Sequence, residues 1–211
     1  MIKKYKLFLE YFNVDKQLNP HFVLDEFKTL TSFKERLRYC KDTLKYIGAG
    51  SSRIVFQLDD KTVLKLARSK KGLEQNYNEC NHIGKTYYDA IISKVYDKAE
   101  EEEWIVSELA RKTSKKEFKA FFGFDFDLYS KYLLYRIAEH NPQAYRGVSY
   151  EHLLTPKEIE FFNNDDFTEE MISFAFDFDI AQGDLGRINS YGVVNRNVED
   201  RIVLVDYGFT E

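Results

Sequence analysis

The spacing of hydrophobic positions changes near residue 46. Over residues 1–45, apolar side chains recur at helical spacing, with a break around Asn19 and Pro20. This pattern predicts an N-terminal helical extension. We expect the extension to pack against the next lobe as a stabilising layer; the alternative is that it binds a protein partner.

Residues 46–110 have the pattern of an antiparallel sheet with one helix. The stretch 46–67 predicts strand, glycine turn, strand, acidic turn and strand. A helix is predicted over 72–88. Its apolar stripe consists of Leu73, Tyr77, Cys80 and Ile83. Residues 91–110 follow as a hairpin with an acidic tip.

Residues 111–211 are predicted to be mainly helical, so the whole chain belongs to the α+β class. The indicated helix starts are Thr113, Thr155 and Thr168. The aromatic runs expected in the core are 118–126 and 174–178. Two apolar runs within 191–204 predict a hairpin with a polar tip.

Composition indicates a globular protein without electrostatic attraction to nucleic acid. The 211 residues are 44% hydrophobic and 16% aromatic, which is ample for a buried core in one domain or two small lobes. A net charge of −4 and a pI near 5.7 give no case for binding nucleic acid or an anionic membrane.

The cysteines and the absence of targeting signals favour a cytoplasmic location. Cys40 and Cys80 form no CxxC pair, so we do not expect a metal site made of thiolates. We expect the protein to lie in a reducing compartment. No signal peptide is indicated. No run approaches the roughly 18 apolar residues that identify a membrane helix.

The glycine turn in 46–58 carries the first candidate chemistry. Strand follows Gly48 and Gly50, whereas a dinucleotide-binding fingerprint needs a helix there. A kinase-type phosphate loop instead needs strand on both sides, a valine shortly after the loop and a lysine on the next strand. Val55 and Lys65 meet these last two requirements.

Arg53 occupies the position of the third glycine in that pattern. The sequence leaves open whether Arg53 contacts phosphate or points to solvent. Ser51 and Ser52 are expected to compensate for the missing glycine with hydroxyl and backbone N–H donors.

Lys65 lies among apolar neighbours, so a buried position would require an anionic partner. On the following helix Glu79 projects roughly 40° from Ile83, and Glu74 projects roughly 60° from Tyr77. We predict Glu79 as the partner, with Glu74 as the alternative. An exposed edge-strand lysine is the simpler explanation.

Two further segments, 184–189 and 202–206, carry polar residues at a specific spacing. Asp184 is followed by Leu185, three variable residues and Asn189, and the apolar run 202–205 ends at Asp206. Gly208 follows and would let the chain turn sharply. Each piece alone could be an ordinary turn or strand end.

Taken together and in this order, these residues resemble the protein-kinase-like superfamily, which includes aminoglycoside-phosphotransferase-like enzymes. The likeness covers about residues 46–211. It implies a bilobal fold, with an antiparallel-sheet N-lobe over 46–110 and a truncated helical C-lobe over 111–211. Protein kinases continue beyond this point into an activation segment, which the resemblance implies is missing here.

A narrower likeness concerns residues 50–53, 65–67, 71–72, 75–76 and Glu79. It resembles short kinase-like proteins of large tailed bacteriophages, which implies a host-cytoplasmic or virion location.

The resemblance implies binding of ATP and Mg²⁺. Asp184 would be the catalytic base, Lys65 held by Glu79 would orient the phosphates, and Asn189 and Asp206 would bind the metal. The implied nucleotide contacts are Gly48, Gly50, Ser51, Ser52, Arg53, Val55, Lys65 and the backbone near Glu108 and Ala110.

Two functions follow as hypotheses. The first is an ATP-dependent phosphotransferase acting on an unknown protein or small molecule. The second is a pseudokinase or nucleotide-binding interaction module associated with a virion. Adenylyl transfer on the same fold, with an inverted nucleotide, stays open as a third.

Overall fold

Two units make up the part of the chain that the computed structural model describes, residues 21–81, 86–180, 182–205 and 207. The described part of the first unit is 21–81 with 94–109. The second unit contains 86–93 and the described residues from 110 onward. The first unit contains a five-stranded antiparallel sheet, whereas the second is mainly helical, which confirms the α+β class.

The first unit is built on a sheet of strand order β1-β2-β3-β5-β4, antiparallel throughout. Its strands are β1 (Lys45–Ala49), β2 (Arg53–Gln57), β3 (Thr62–Ala67), β4 (Val95–Lys98) and β5 (Trp104–Glu108). Every residue of the central strand β3 is buried. Any charged side chain on β3 therefore needs partners inside the protein.

Among the described residues of this unit, three helices cover the sheet. They are α1 (Leu24–Thr29), α2 (Phe33–Thr43) and α3 (Lys70–Asn81). A capping box between Ser32 and Glu35 starts α2. Phe27 on α1 and Cys40 on α2 share one apolar core with Leu64 and Leu66 of β3. Residues 22–44 thus form the expected layer on the sheet, while the predicted pattern in 1–20 lies outside the described residues.

The predicted apolar stripe of α3 is wrong at Leu73 and Tyr77, whereas Cys80 is buried as predicted and Ile83 lies outside the described residues. Leu73 and Tyr77 are 36% and 54% exposed, respectively. The buried residues of this helix are Gly72, Gln75, Asn76, Glu79 and Cys80. A mostly polar face turns inward because it meets polar groups of β2 and β3, which hydrophobic spacing does not reveal.

The second unit packs helices around an aromatic core. Its helices are α4 (Lys115–Phe122), α5 (Phe126–His140), α6 (Pro156–Asn163), α7 (Asp166–Asp177) and α8 (Gln182–Leu185), with 3₁₀ turns at Thr86–Tyr88, Glu151–Leu153 and Ile188–Ser190. Phe118, Phe124, Phe126 and Phe174 are buried there, as predicted, whereas Phe121 is 47% exposed. No helix in the described ranges is both long and apolar enough to cross a bilayer.

Side-chain caps explain where α4, α6 and α7 begin. Ser114 caps α4, and Thr155 forms a capping box with Glu158 at the start of α6. The third predicted start is displaced by a few residues. Asp165 caps α7 by accepting the backbone N–H of Thr168, so Thr168 lies within the first turn.

Three antiparallel strands complete the second unit. They are β6 (Arg111–Lys112), β7 (Tyr191–Arg196) and β8 (Glu199–Leu204). The predicted hairpin is therefore present, with a turn of only two residues. Asn197 and Val198 both have positive φ, 52° and 72°. A β-branched residue is strained in this conformation.

We expect Val198→Gly to stabilise the protein by about 1 kcal/mol, because glycine adopts positive φ without strain. Val198 is 93% exposed, so little packing is lost. The thermal unfolding midpoint should rise by roughly 2–4 °C. Val148→Gly is the control, since Val148 is 48% exposed and is not among the positive-φ residues. A gain in both variants, or in neither, would contradict this explanation.

Candidate active site

A buried ion pair joins β3 to α3. The Nζ of Lys65 lies 2.7 Å from Oε2 of Glu79, and their side chains are 9% and 0% exposed. The predicted pairing of Lys65 with Glu79 is therefore present. Glu74, the alternative, is instead 61% exposed and lies 3.7 Å from Lys70.

Arg53 is a second cation on the same carboxylate. Its NH1 lies 2.7 Å from Oε1 of Glu79 and donates a hydrogen bond to Oδ1 of Asn76 at 3.3 Å. Arg53 is 7% exposed, so the alternative in which it points to solvent is wrong. Each oxygen of Glu79 thus faces one cation.

The charges around Glu79 determine its ionisation. Burial by itself would raise the pKa of this carboxyl, but the positive charges of Arg53 and Lys65 outweigh that effect and hold the pKa below its usual value. Glu79 is therefore ionised at neutral pH, and the cluster is a triad of charges inside the first unit.

The glycine turn precedes this cluster directly. The N–H of Gly50 donates to the carbonyl of Arg53 at 2.9 Å, which closes the turn between β1 and β2. A Cβ added at Gly48 or Gly50 would have no heavy atom within 4 Å. Ser51 is exposed, whereas the buried hydroxyl of Ser52 donates to Oε1 of Gln75 on α3. The hydroxyl of Ser52 is thus engaged by the helix.

Gly72 allows α3 to approach the turn closely. A Cβ at this position would lie 2.3 Å from the carbonyl oxygen of Ser52 and 3.2 Å from Ala67. Sequence reasoning gave Gly72, Gln75 and Asn76 no role of their own. Their polar or small side chains at helical spacing with Glu79 were the available signal.

Val55 lies on β2 directly opposite Lys65 and is half-buried. Glu108 accepts the backbone N–H of Lys94 with its carboxylate at 3.2 Å and donates its own N–H to the carbonyl of Lys94 at 2.9 Å. Its side chain thus holds the neighbouring chain segment. Ala110 belongs to the second unit and packs against Gly192. The nucleotide contacts predicted for Glu108 and Ala110 stay predictions.

In the second unit, buried neighbours anchor the stretch that carries Asp184. The carbonyl of Leu185 accepts the hydroxyl of Tyr191 at 2.9 Å, and the carbonyl of Gly186 accepts the hydroxyl of Ser130 at 3.3 Å. Leu185 is fully buried, while Asp184 is half-buried. The chain around Asp184 is therefore held to α5 and β7.

The second candidate metal ligand, Asp206, lies outside the described residues, as does Gly208. Hydrogen bonds hold the two residues that flank Asp206 in the sequence. The N–H of Val205 donates to the carbonyl of Ser190 at 2.7 Å, and the buried Tyr207 donates its hydroxyl to the carbonyl of Ser93 at 2.8 Å.

Asn189 is exposed, and it directly precedes Ser190 in the chain. Within the described ranges, no group of three or more His, Cys, Asp or Glu side chains forms a metal-binding cluster. Magnesium sites commonly use one or two protein ligands together with substrate phosphates. A site made by Asn189 and Asp206 therefore stays a prediction.

Comparison with known proteins identifies no family. Neither a protein-family model nor a curated protein matches the sequence.

Some solved structures of aminoglycoside phosphotransferases are weakly similar to the chain. The GDP and kanamycin complex of an APH(2″) enzyme is 9% identical, with 79% of this chain and 67% of that chain covered and a TM-score of 0.37. For the GDP complex of aminoglycoside 2′-phosphotransferase-IIIa these values are 10%, 79%, 66% and 0.38.

The streptomycin–ATP complex of APH(2″)-IIa is 14% identical, with 85% and 71% covered and a TM-score of 0.31. The chain spans about two thirds of the length of the first two enzymes. At these low identities and TM-scores, neither a substrate nor the role of any residue can be inferred for this chain from those enzymes.

We expect Glu79→Gln to lower the free energy of unfolding by about 3–5 kcal/mol, because it removes the negative charge that two buried cations share. Urea unfolding measures this loss. Glu74→Gln is the matched control and should change stability little, since its ion pair is exposed. Equal effects of the two substitutions would contradict the assignment of Glu79 as the buried partner.

The stability difference between wild type and Glu79→Gln is expected to shrink at acidic pH. Because the pKa of Glu79 is lowered from 4.5 in the folded protein, its contribution is present above that value and is lost as the pH falls through the folded pKa. Urea unfolding of both proteins from neutral pH into the acid range tests this. A difference that stays constant would show that ionisation of Glu79 does not stabilise the fold.

Proposed function

We propose that this chain is an ATP- and magnesium-dependent phosphotransferase of protein-kinase-like type that acts on a hydroxyl of a protein or small molecule. The observation that carries the proposal is the buried Lys65–Glu79 pair, 2.7 Å apart, which joins α3 to β3, the second strand after the glycine turn. This is the arrangement that positions nucleotide phosphates in kinase-type chemistry.

Stability alone is a poor explanation for this pair. Burying charges carries a large desolvation cost, and replacing a buried ion pair by apolar residues is often neutral or stabilising. A lysine in a fully buried central strand therefore suggests a task for its charge. Orienting an anionic phosphate is such a task, and positioning with electrostatics is most of what phosphoryl transfer requires.

The second unit would supply the remaining groups. Asp184 would accept the proton of the acceptor hydroxyl, from a stretch that Tyr191 and Ser130 anchor. Asn189 and Asp206 would hold Mg²⁺ through oxygen atoms, which suit this ion. They are covalently attached to Ser190 and Val205, which share a 2.7 Å hydrogen bond. Bound magnesium neutralises charge that develops on the phosphates.

One observation favours the alternative of a pseudokinase or nucleotide-binding module. Ser52 and Arg53, two residues expected to meet phosphate, are turned onto α3 by Gln75 and Glu79. If backbone groups of the turn do not compensate, the nucleotide would bind weakly or in a non-reactive position.

Nucleotide binding is tested by the thermal unfolding midpoint with and without Mg-ATP. At about a hundred times the dissociation constant, a ligand stabilises by roughly 2.7 kcal/mol, so the midpoint should rise by about 5–11 °C. The rise should require magnesium and disappear in Asp206→Ala. GTP is a second probe. A wild-type midpoint unaffected by either nucleotide would refute the proposal.

Phosphoryl transfer is tested with radiolabelled ATP and a panel of acceptors comprising the protein itself, casein-like proteins and small hydroxyl compounds. Asp184→Asn should reduce the transfer rate by about 10²–10⁴-fold, because it removes the general base, yet keep the midpoint rise. Asp127→Asn is the control, since the Asp127 side chain is 70% exposed. Nucleotide binding without any transfer would favour the pseudokinase alternative.

A further inference from the structure

Arg53 lies where it can act on the phosphate-positioning pair from inside the protein. It is the first residue of β2 and pairs with Ala67 of β3, while Val55 pairs with Lys65. Side chains two positions apart share one face of a sheet. Arg53 and Lys65 therefore project from the same face, toward α3.

Side-chain contacts link the end of the glycine turn to α3. Ser52 donates a hydrogen bond to Gln75, and Arg53 contacts both Asn76 at 3.3 Å and Glu79 at 2.7 Å. The four residues Ser52, Arg53, Gln75 and Asn76 are all buried. The links are therefore shielded from water, which strengthens them.

The same helix is also tied to another part of the sheet. The side-chain amide of Asn76 donates to the carbonyl of Glu102 at 2.7 Å, between β4 and β5. Asn76 thus accepts a hydrogen bond from Arg53 and donates one to the loop between β4 and β5. A glycine at position 53, which the kinase pattern has, could make none of these side-chain contacts.

The two carboxylate oxygens of Glu79 contact different cations. Oε2 meets Lys65 and Oε1 meets Arg53. Without the second cation, Oε1 would remain buried and the carboxylate would be free to rotate away from Lys65. An arginine at this position therefore restricts the direction from which Lys65 is held.

We propose that Arg53 is a positioning residue, which locks α3 to the glycine turn and so holds the Lys65–Glu79 pair in place through the chain's own contacts. This role rests on the proposed function, because the pair matters to catalysis only if Lys65 orients phosphate. With Arg53 in this role, the glycine turn and α3 move as one body. The Lys65–Glu79 pair then forms without nucleotide and without an activating partner.

Hydrogen–deuterium exchange on the nucleotide-free protein tests the lock. Arg53→Met should increase exchange in α3 by roughly tenfold or more, while exchange in β5 changes much less. Arg38→Met is the matched control, because Arg38 is 86% exposed and lies 3.7 Å from Asp42. It should leave α3 unchanged. Arg53→Lys, which keeps the charge, should restore part of the protection.

Acylation of lysines followed by mass spectrometry gives a second readout. Lys65 is 7% exposed and should react more quickly in Arg53→Met than in wild type, whereas the exposed Lys41 reacts equally in both. Unchanged α3 exchange, an equal increase throughout the first unit, or no rescue by lysine would each overturn the proposal.

Neither measurement needs nucleotide. Failure to bind ATP would refute the proposed function without altering these results, and loss of the lock would leave the nucleotide tests standing.

Discussion

The carboxylate of Glu79 is the constraint on which the first unit depends. It is completely buried and lies 2.7 Å from both Arg53 and Lys65. A charge inside a protein is stable only with partners, and removing one partner leaves the others uncompensated. The three side chains therefore require one another, and the elements that carry them, β2, β3 and α3, are held in one arrangement.

The rest of the first unit makes that arrangement possible. The α1–α2 layer covers one face of β3 with apolar side chains such as Phe27, so water is excluded and the electrostatic contacts on the other face are strong. Gly72 lets α3 approach within contact of the Ser52 carbonyl, where any side chain would collide. Burying the polar face of α3 costs little free energy because its polar groups form hydrogen bonds and ion pairs.

In the second unit, buried neighbours hold exposed or half-exposed polar residues in fixed positions. Asp184 lies in the one-turn helix α8, and Asn189 lies in the 3₁₀ turn Ile188–Ser190 that follows it. The order of this stretch comes from buried neighbours: Leu185, whose carbonyl is bonded to Tyr191, and Ser190, whose carbonyl is bonded to Val205. A short stretch supported by buried neighbours in this way can present its side chains precisely.

By itself, the sequence determined the strands of the first unit and the hairpin of β7 and β8, the glycine turn, the starts of α4 and α6, and the need of Lys65 for an anionic partner. These features depend on neighbouring residues or on the cost of a buried charge. Tertiary structure alone decided that α3 turns Gln75 and Asn76 inward in place of Leu73 and Tyr77, and that Arg53 shares Glu79 with Lys65. Periodicity assumes that the inward face is apolar, whereas here contacts among three separate elements determine which polar groups are buried, because each satisfies another.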